Sequence, residues 1–158
     1  MEDRIADQRA AVIAVARGWI GTPFRHAARV KGAGVDCLQL IAATALEAGL
    51  VERIEIPHYP RDFMFHVDAE TYLNGLLSYM VEVEGRPEPA DVVLWKFGRC
   101  FSHGAIVVEW PTIIHAYIGR PVRLDDAERA AFLTTVGENV PEKGQARPRR
   151  HFRLKAWA

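Results

Sequence analysis

Helical periodicity fills the first half of this chain and β-branched runs fill the second, a segregation that restricts the fold more than any other feature. Residues 4 to 20 place Ile5, Val12, Ile13, Ala16, Trp19 and Ile20 on one face at helical spacing, and Gly21 with Pro23 beyond supplies the stop. A second helix is expected from Cys37 to about Gly49, with Leu38, Ile41, Ala42, Ala45 and Leu46 turned inward. A third is expected from an N-cap at Asp68 to about Met80, after an irregular stretch over 51 to 68. Strands are expected at 92 to 97, 105 to 108 and 112 to 118, with weaker ones at 122 to 124 and 152 to 155. A short helix over 126 to 133 and a loop over 137 to 150 complete the reading. Helices first and antiparallel strands second is an α+β arrangement. No repeat or linker divides the chain, so residues 1–158 read as one domain.

Composition excludes several function classes. Acids and bases balance at 20 each, so bulk charge points to neither nucleic acid nor a membrane surface. The acidic start Met1-Glu2-Asp3-Arg4 leads into a helix too polar for a signal peptide, and no apolar run reaches membrane-spanning length. Synthesis in the cytoplasm without signal-directed export is therefore expected. Two cysteines, Cys37 and Cys100, are too few for a disulfide framework and lack CxxC spacing.

Cys37 lies where a glycine-punctuated loop meets an amphipathic helix. Asp36 reads as N-cap and Gln39 falls three residues later, the aspartate variant of a capping box, which makes Cys37 the first helical residue. Free N–H groups and the positive end of the helix dipole favour a thiolate there, and a lowered pKa is expected. A small buried hydrophobe at a helix start fits the same local pattern.

A cysteine nucleophile needs a base, and that base usually needs a third group to orient it. His103 begins an apolar strand and His115 lies in the next. Their even separation sets them directly opposite on one face if the hairpin turns about Glu109, with Val107 opposite Pro111 and Ala105 opposite Ile113. A turn at Trp110-Pro111 would send them to opposite faces. Each histidine is equally readable as a polar residue satisfied on a partly exposed strand.

Five blocks then carry a resemblance: Gly18-Trp19-Ile20-Gly21-Thr22-Pro23-Phe24-Arg25, Gly34-Val35-Asp36-Cys37, Ala90-Asp91-Val92-Val93-Leu94, Ser102-His103-Gly104-Ala105-Ile106-Val107 and Ile114-His115-Ala116. In this order they resemble the NlpC-type cell-wall cysteine peptidases, over roughly two thirds of the chain. The Gly-Thr-Pro-Phe-Arg-His stretch, with its longer loop to Asp36-Cys37, is similar to the subgroup of phage and gene-transfer-agent tails. The resemblance implies a papain-like fold and hydrolysis of peptidoglycan stem peptides between D-glutamate and a diamino acid. It implies Cys37 as nucleophile, His103 as base and His115 as orienting residue, with Asp36, Phe24 and Ser102 at the oxyanion and substrate groove. No cofactor or metal is called for. Peptidoglycan is the implied partner, with phage-like tail-tip proteins as further partners and a phage-like particle as the route to the wall. Related thiol amidases and acyltransferases, or a structural tail-tip plug, are the alternatives.

The chain departs from that family twice. Phe24 stands where tyrosine is frequent and cannot donate to an oxyanion, and Ala27-Ala28 replace a glycine pair, with Lys31-Gly32-Ala33-Gly34 supplying flexibility later. Cys100 and His103, with His115 and Cys37, would also make four zinc ligands, though without the second close pair structural zinc sites bring. Asp91 reads as a turn residue. The cations from Arg147 to Lys155 alternate with Phe152, Leu154 and Ala156, as on a final strand whose charged side faces solvent.

Overall fold

The computed structural model describes residues 1–61, 70–129 and 146–158. The elements are α1 (Glu2–Gly18), β1 (Arg29–Val30), β2 (Gly34–Val35), α2 (Cys37–Glu47), α3 (Thr71–Leu77), β3 (Met80–Val83), β4 (Val92–Phe97), β5 (Cys100–Glu109), β6 (Thr112–Tyr117), β7 (Arg120–Asp126) and β8 (Arg149–Leu154). A single 3-10 turn, Lys155–Trp157, follows. Six strands form an antiparallel sheet in the order β3-β8-β4-β5-β6-β7, and helical elements occupy one side of it. The α+β expectation holds.

Strand alternation gives the sheet two distinct faces. Val92, Leu94, Ile106, Ile114, Ala116 and Phe152 pack with Val12, Ala16, Leu40, Ile41, Tyr72 and Leu76 of the helices. Val93, Trp95, Ala105, Val107, Trp110 and Ile113 build a second cluster on the other face, closed by Ala127. Trp95 and Phe152 are fully buried, one in each cluster. Burying a side chain of that size contributes about 1.5–3 kcal/mol or more.

Several boundaries differ from the sequence reading. α1 ends at Gly18, leaving Trp19 buried and Ile20 exposed. α3 stops at Leu77, and Met80 opens a short strand paired with β8 through Met80–Leu154. Asp126 ends β7 and residues 127 to 129 form a turn, in place of the start of the expected helix; its remainder, 130 to 133, lies outside the described residues, as do Asp68 and most of the loop expected over 137 to 150. The C-terminal cations are not simply solvated. Arg153 holds the fully buried Asp91 through two hydrogen bonds of 3.1 and 2.9 Å, and Arg9 joins at 3.2 Å. Asp91 also accepts from the Glu88 N–H at 2.9 Å, so it ties the start of β4 to α1 and β8.

The β5–β6 register corrects the expectation. The turn falls at Trp110-Pro111, with Glu109 opposite Thr112, Val107 opposite Ile113 and Ile106 opposite Ile114. A bulge between Val107 and Glu109 inserts one extra residue and restores the parity that a two-residue turn alone would have inverted. Carried one residue further, the register sets His115 beside Ala105, and His103 becomes its diagonal neighbour on the same face. A local sequence pattern does not reveal a bulge, so the histidines meet by a different route from the one the even spacing suggested.

Candidate active site

Asp36 is the N-cap of α2, its Oδ1 accepting from the Gln39 N–H at 2.9 Å, and this makes Cys37 the first residue of the helix. Only half of the capping box forms, because the Gln39 side chain donates to the Tyr59 hydroxyl at 3.3 Å. α2 packs across β5 and β6 and brings Cys37 to the start of β5. The thiol donates to the Ser102 carbonyl at 3.7 Å, while the Gly104 and Leu38 N–H groups and the Tyr72 hydroxyl lie around the sulfur. His103 is the residue between the two that touch it.

Burial pushes the Cys37 thiol up to about 12, and the neighbouring Asp36 charge adds to the shift, while Gly104, Tyr72 and Leu38 pull it partly back. The lowering expected from a helix start is outweighed. A dipole end contributes a few tenths to about 2 kcal/mol, whereas desolvating a charge costs several. Neither cysteine is in a disulfide; Cys37 is half-buried and Cys100 is buried.

On β5, β6 and β7 a chain of hydrogen bonds runs away from this point. His103 Nε2 meets His115 Nδ1 at 2.8 Å, and His115 Nε2 meets Asp125 Oδ2 at 2.9 Å. The chemistry of the last group fixes every proton along the chain. Arg123 and Arg129 pair with Asp125, and although burial opposes it, the Asp126 N–H, His115 and Arg129 hold the carboxyl below its ordinary value. An ionised carboxylate only accepts, so His115 Nε2 carries hydrogen. Neutral His115 therefore accepts at Nδ1, His103 donates from Nε2, and the lone pair of neutral His103 is on Nδ1.

The surroundings keep both rings neutral. His103 sits among Trp95, Phe97 and Tyr117, with ring centroids 5.8, 5.6 and 5.1 Å away. Burial, and then His115, hold it well below its ordinary pKa against the pull of Asp125. Burial also lowers His115, with the Asp125 hydrogen bond opposing.

No protein-family model and no curated protein sequence matches the chain. Solved structures do. The NlpC/p60 domain of the peptidoglycan hydrolase SagA superposes with a TM-score of 0.54 at 20% identity, over 75% of this chain and 89% of that one. RipD from Mycobacterium tuberculosis, a non-catalytic NlpC/p60 domain protein adapted to peptidoglycan binding, gives 0.55 at 16% identity over 92% and 96%. An NlpC/p60 family protein from Bacillus cereus gives 0.55 at 18% identity, over 77% of this chain and 35% of its own. This chain has the NlpC/p60 fold. Its helical N-terminal part set against an antiparallel sheet is the papain-like arrangement expected from the sequence.

On this NlpC/p60 scaffold the three groove candidates have specific positions. Phe24 bridges Val35, the residue just before the Asp36 cap, and packs at the edge of the core. Ser102 commits its hydroxyl to the Phe97 carbonyl at 3.1 Å and offers its own carbonyl to the thiol. Asp36 is almost entirely buried, and its Oδ2 accepts from Tyr59 Oη at 2.6 Å and the Ala27 N–H at 2.7 Å, which occupies the carboxylate with structural bonds. Tyr59 is anchored in turn by His26, whose Nε2 donates to the Tyr59 carbonyl at 2.9 Å.

Ala27 adopts φ 57, in the left-handed region. The glycine expected there by resemblance would relieve that strain while keeping the N–H that Asp36 holds. Ala27→Gly should leave stability unchanged or raise it by up to about 1 kcal/mol, even though glycine ordinarily costs backbone entropy. Urea unfolding curves of the two proteins measure this; a loss above about 1 kcal/mol would show that the strain at Ala27 is not real.

Sequence reasoning missed Asp125, Tyr59 and Tyr72. Asp125 had no local signal: the two-residue turn at Ile118-Gly119 alone would set His115 opposite Val122, and a register shift between His115 and Tyr117 is what puts His115 opposite Arg123 and Ile113 opposite Asp125, with the carboxylate diagonal to His115. Tyr59 lies in an irregular stretch, where no periodicity reports its direction.

Proposed function

We propose that this protein is a peptidoglycan hydrolase, a cysteine endopeptidase in which Cys37 attacks a stem-peptide amide. The observation that carries the reading is the Asp125–His115–His103 relay, which forces on His103 the tautomer a general base needs. The resting pair is a neutral thiol and a neutral imidazole, not a preformed ion pair, since the thiol is pushed up and the imidazole down. As the sulfur closes on the scissile carbonyl, His103 Nδ1 takes the thiol proton, and His115 and Asp125 stabilise the imidazolium. The tetrahedral oxyanion draws on N–H groups at the start of α2. His103 then returns the proton to the leaving amine, and water, deprotonated by the same imidazole, releases the acyl group and restores the thiol.

The finer reading places the scissile bond between D-glutamate and the following diamino acid, and the protein in a phage-like tail. The bond follows from the family that the five blocks resemble, and the tail from the resemblance of the Gly-Thr-Pro-Phe-Arg-His stretch and its longer loop to Asp36-Cys37. Such a tail would carry the protein to the cell wall.

A second reading, a peptidoglycan-binding or tail-tip plug domain with little turnover, is favoured by the raised thiol pKa, by Phe24 and by the non-catalytic neighbour RipD. Incubation with purified peptidoglycan, followed by mass spectrometry of new amino termini, separates the two. Fragments beginning with the diamino acid are expected. Co-sedimentation with the wall and no new termini would replace the hydrolase with the binding reading.

A further inference from the structure

The buried Tyr72 hydroxyl makes no well-formed hydrogen bond to the described residues and faces the Cys37 sulfur. The side chain is buried and the oxygen is sealed from solvent. An orphaned buried hydroxyl costs free energy that phenylalanine at the same place would not. Its position is specific. A Cβ built on Gly104 would lie 2.4 Å from the hydroxyl oxygen, so the tyrosine reaches the backbone of β5 only because residue 104 is glycine. The atom it reaches beside that backbone is the Cys37 sulfur.

We propose that Tyr72 is the donor that holds the Cys37 sulfur as a thiolate once its proton has left, acting with the Leu38 and Gly104 N–H groups. A neutral thiol is a weak acceptor, which explains why the hydroxyl is orphaned in the resting state. An anion at the sulfur would be met by three donors, two from the backbone and one from Tyr72. Tyr72 keeps its own proton throughout, because burial and the nearby Cys37 and Asp36 push its pKa well above the ordinary tyrosine value. The thiol proton goes to His103 in catalysis and to solvent base in a chemical assay. The assignment fits the absence of a hydroxyl at Phe24, since this donor enters from α3.

The inference rests on Cys37 being the reactive thiol of the proposed hydrolase, yet its test needs no peptidoglycan. Iodoacetamide alkylation of the intact protein is followed against pH with site-resolved mass spectrometry, and thermal midpoints are recorded in parallel. Tyr72→Phe should move the Cys37 profile to higher pH and slow alkylation at fixed pH by roughly 10- to 100-fold, the worth of one hydrogen bond to an ionised group. Its thermal midpoint should hold or rise, because an orphaned hydroxyl has been removed. An unchanged Cys37 profile overturns the proposal. Loosening of the fold would instead speed Cys37 and Cys100 together; in that event 3-fluorotyrosine at position 72, a stronger donor of nearly the same shape, decides. It should shift the Cys37 profile to lower pH, and no shift overturns the assignment. A profile that moves as expected in a protein without wall hydrolysis would keep the thiolate donor and remove the hydrolase.

Discussion

Cys37→Ala is expected to abolish the release of new amino termini from peptidoglycan, by at least about 10³-fold, with little change in thermal midpoint. The size follows from the absence of a substitute. The other thiol, Cys100, is buried, and the Ser102 hydroxyl is turned to the Phe97 carbonyl. The small stability change follows from what Cys37 does in the fold. Its sulfur makes one long hydrogen bond to a carbonyl, and the helix start depends on the Asp36 side chain, which the substitution leaves in place. Alanine is also the best helix former for the first turn. Turnover and wall sedimentation should be measured together: hydrolysis retained in Cys37→Ala would end the thiol mechanism, whereas unchanged binding with lost hydrolysis separates the chemical role from the RipD-like one.

The part of the site set by nearest neighbours was legible in the sequence, and the part set by distant ones was not. The Asp36 cap and the helical start at Cys37 depend on residues 36 to 39, and the pattern states them directly. Which face His103 and His115 share depends on a bulge at Val108, which no local pattern reports. The shared face survives the different turn because the bulge returns the register to even parity, which leaves the histidines diagonal and not directly opposite. The thiol pKa failed for a related reason. A helix dipole is a local property, but the desolvation that overrides it comes from β5 and α3, more than 30 residues away in sequence. Tyr72 was legible as a core residue of α3 from its spacing with Leu73 and Leu76, but periodicity gives a side chain's direction and not what its terminal oxygen meets.

Asp125→Asn is expected to lower kcat by about 10²- to 10⁴-fold with KM nearly unchanged, through the tautomer of a residue it does not touch. With the carboxylate, His115 Nε2 must hold a hydrogen, and the lone pair passes along the relay to His103 Nδ1. An asparagine that turns its amide nitrogen toward His115 reverses both rings: His115 then donates from Nδ1 to His103 Nε2, and His103 carries its hydrogen on Nδ1, where a base needs a lone pair. Arg123 favours the opposite orientation, since it donates to the same Oδ2 position that His115 meets and would be left facing a donor, whereas Arg129 and the Asp126 N–H donate to Oδ1 and favour the reversed amide. The rate loss therefore measures how often the amide sits the wrong way, together with the lost stabilisation of the imidazolium. Arg123→Gln in the Asp125→Asn background should deepen the loss by releasing the amide. The pH dependence carries an independent sign. His103 and His115 are held below their unfolded pKa values, so the unfolded chain binds more protons than the native one and stability falls as pH drops below about 6.5. Asp125→Asn removes the charge that favours their protonated forms, so the variant should lose native structure at a higher pH than the parent in an acid titration followed by tryptophan fluorescence. Full kcat in Asp125→Asn, with an unshifted acid midpoint, would reduce the carboxylate to a surface partner of Arg123 and Arg129 and leave His115 to be oriented by β6 and β7 packing alone.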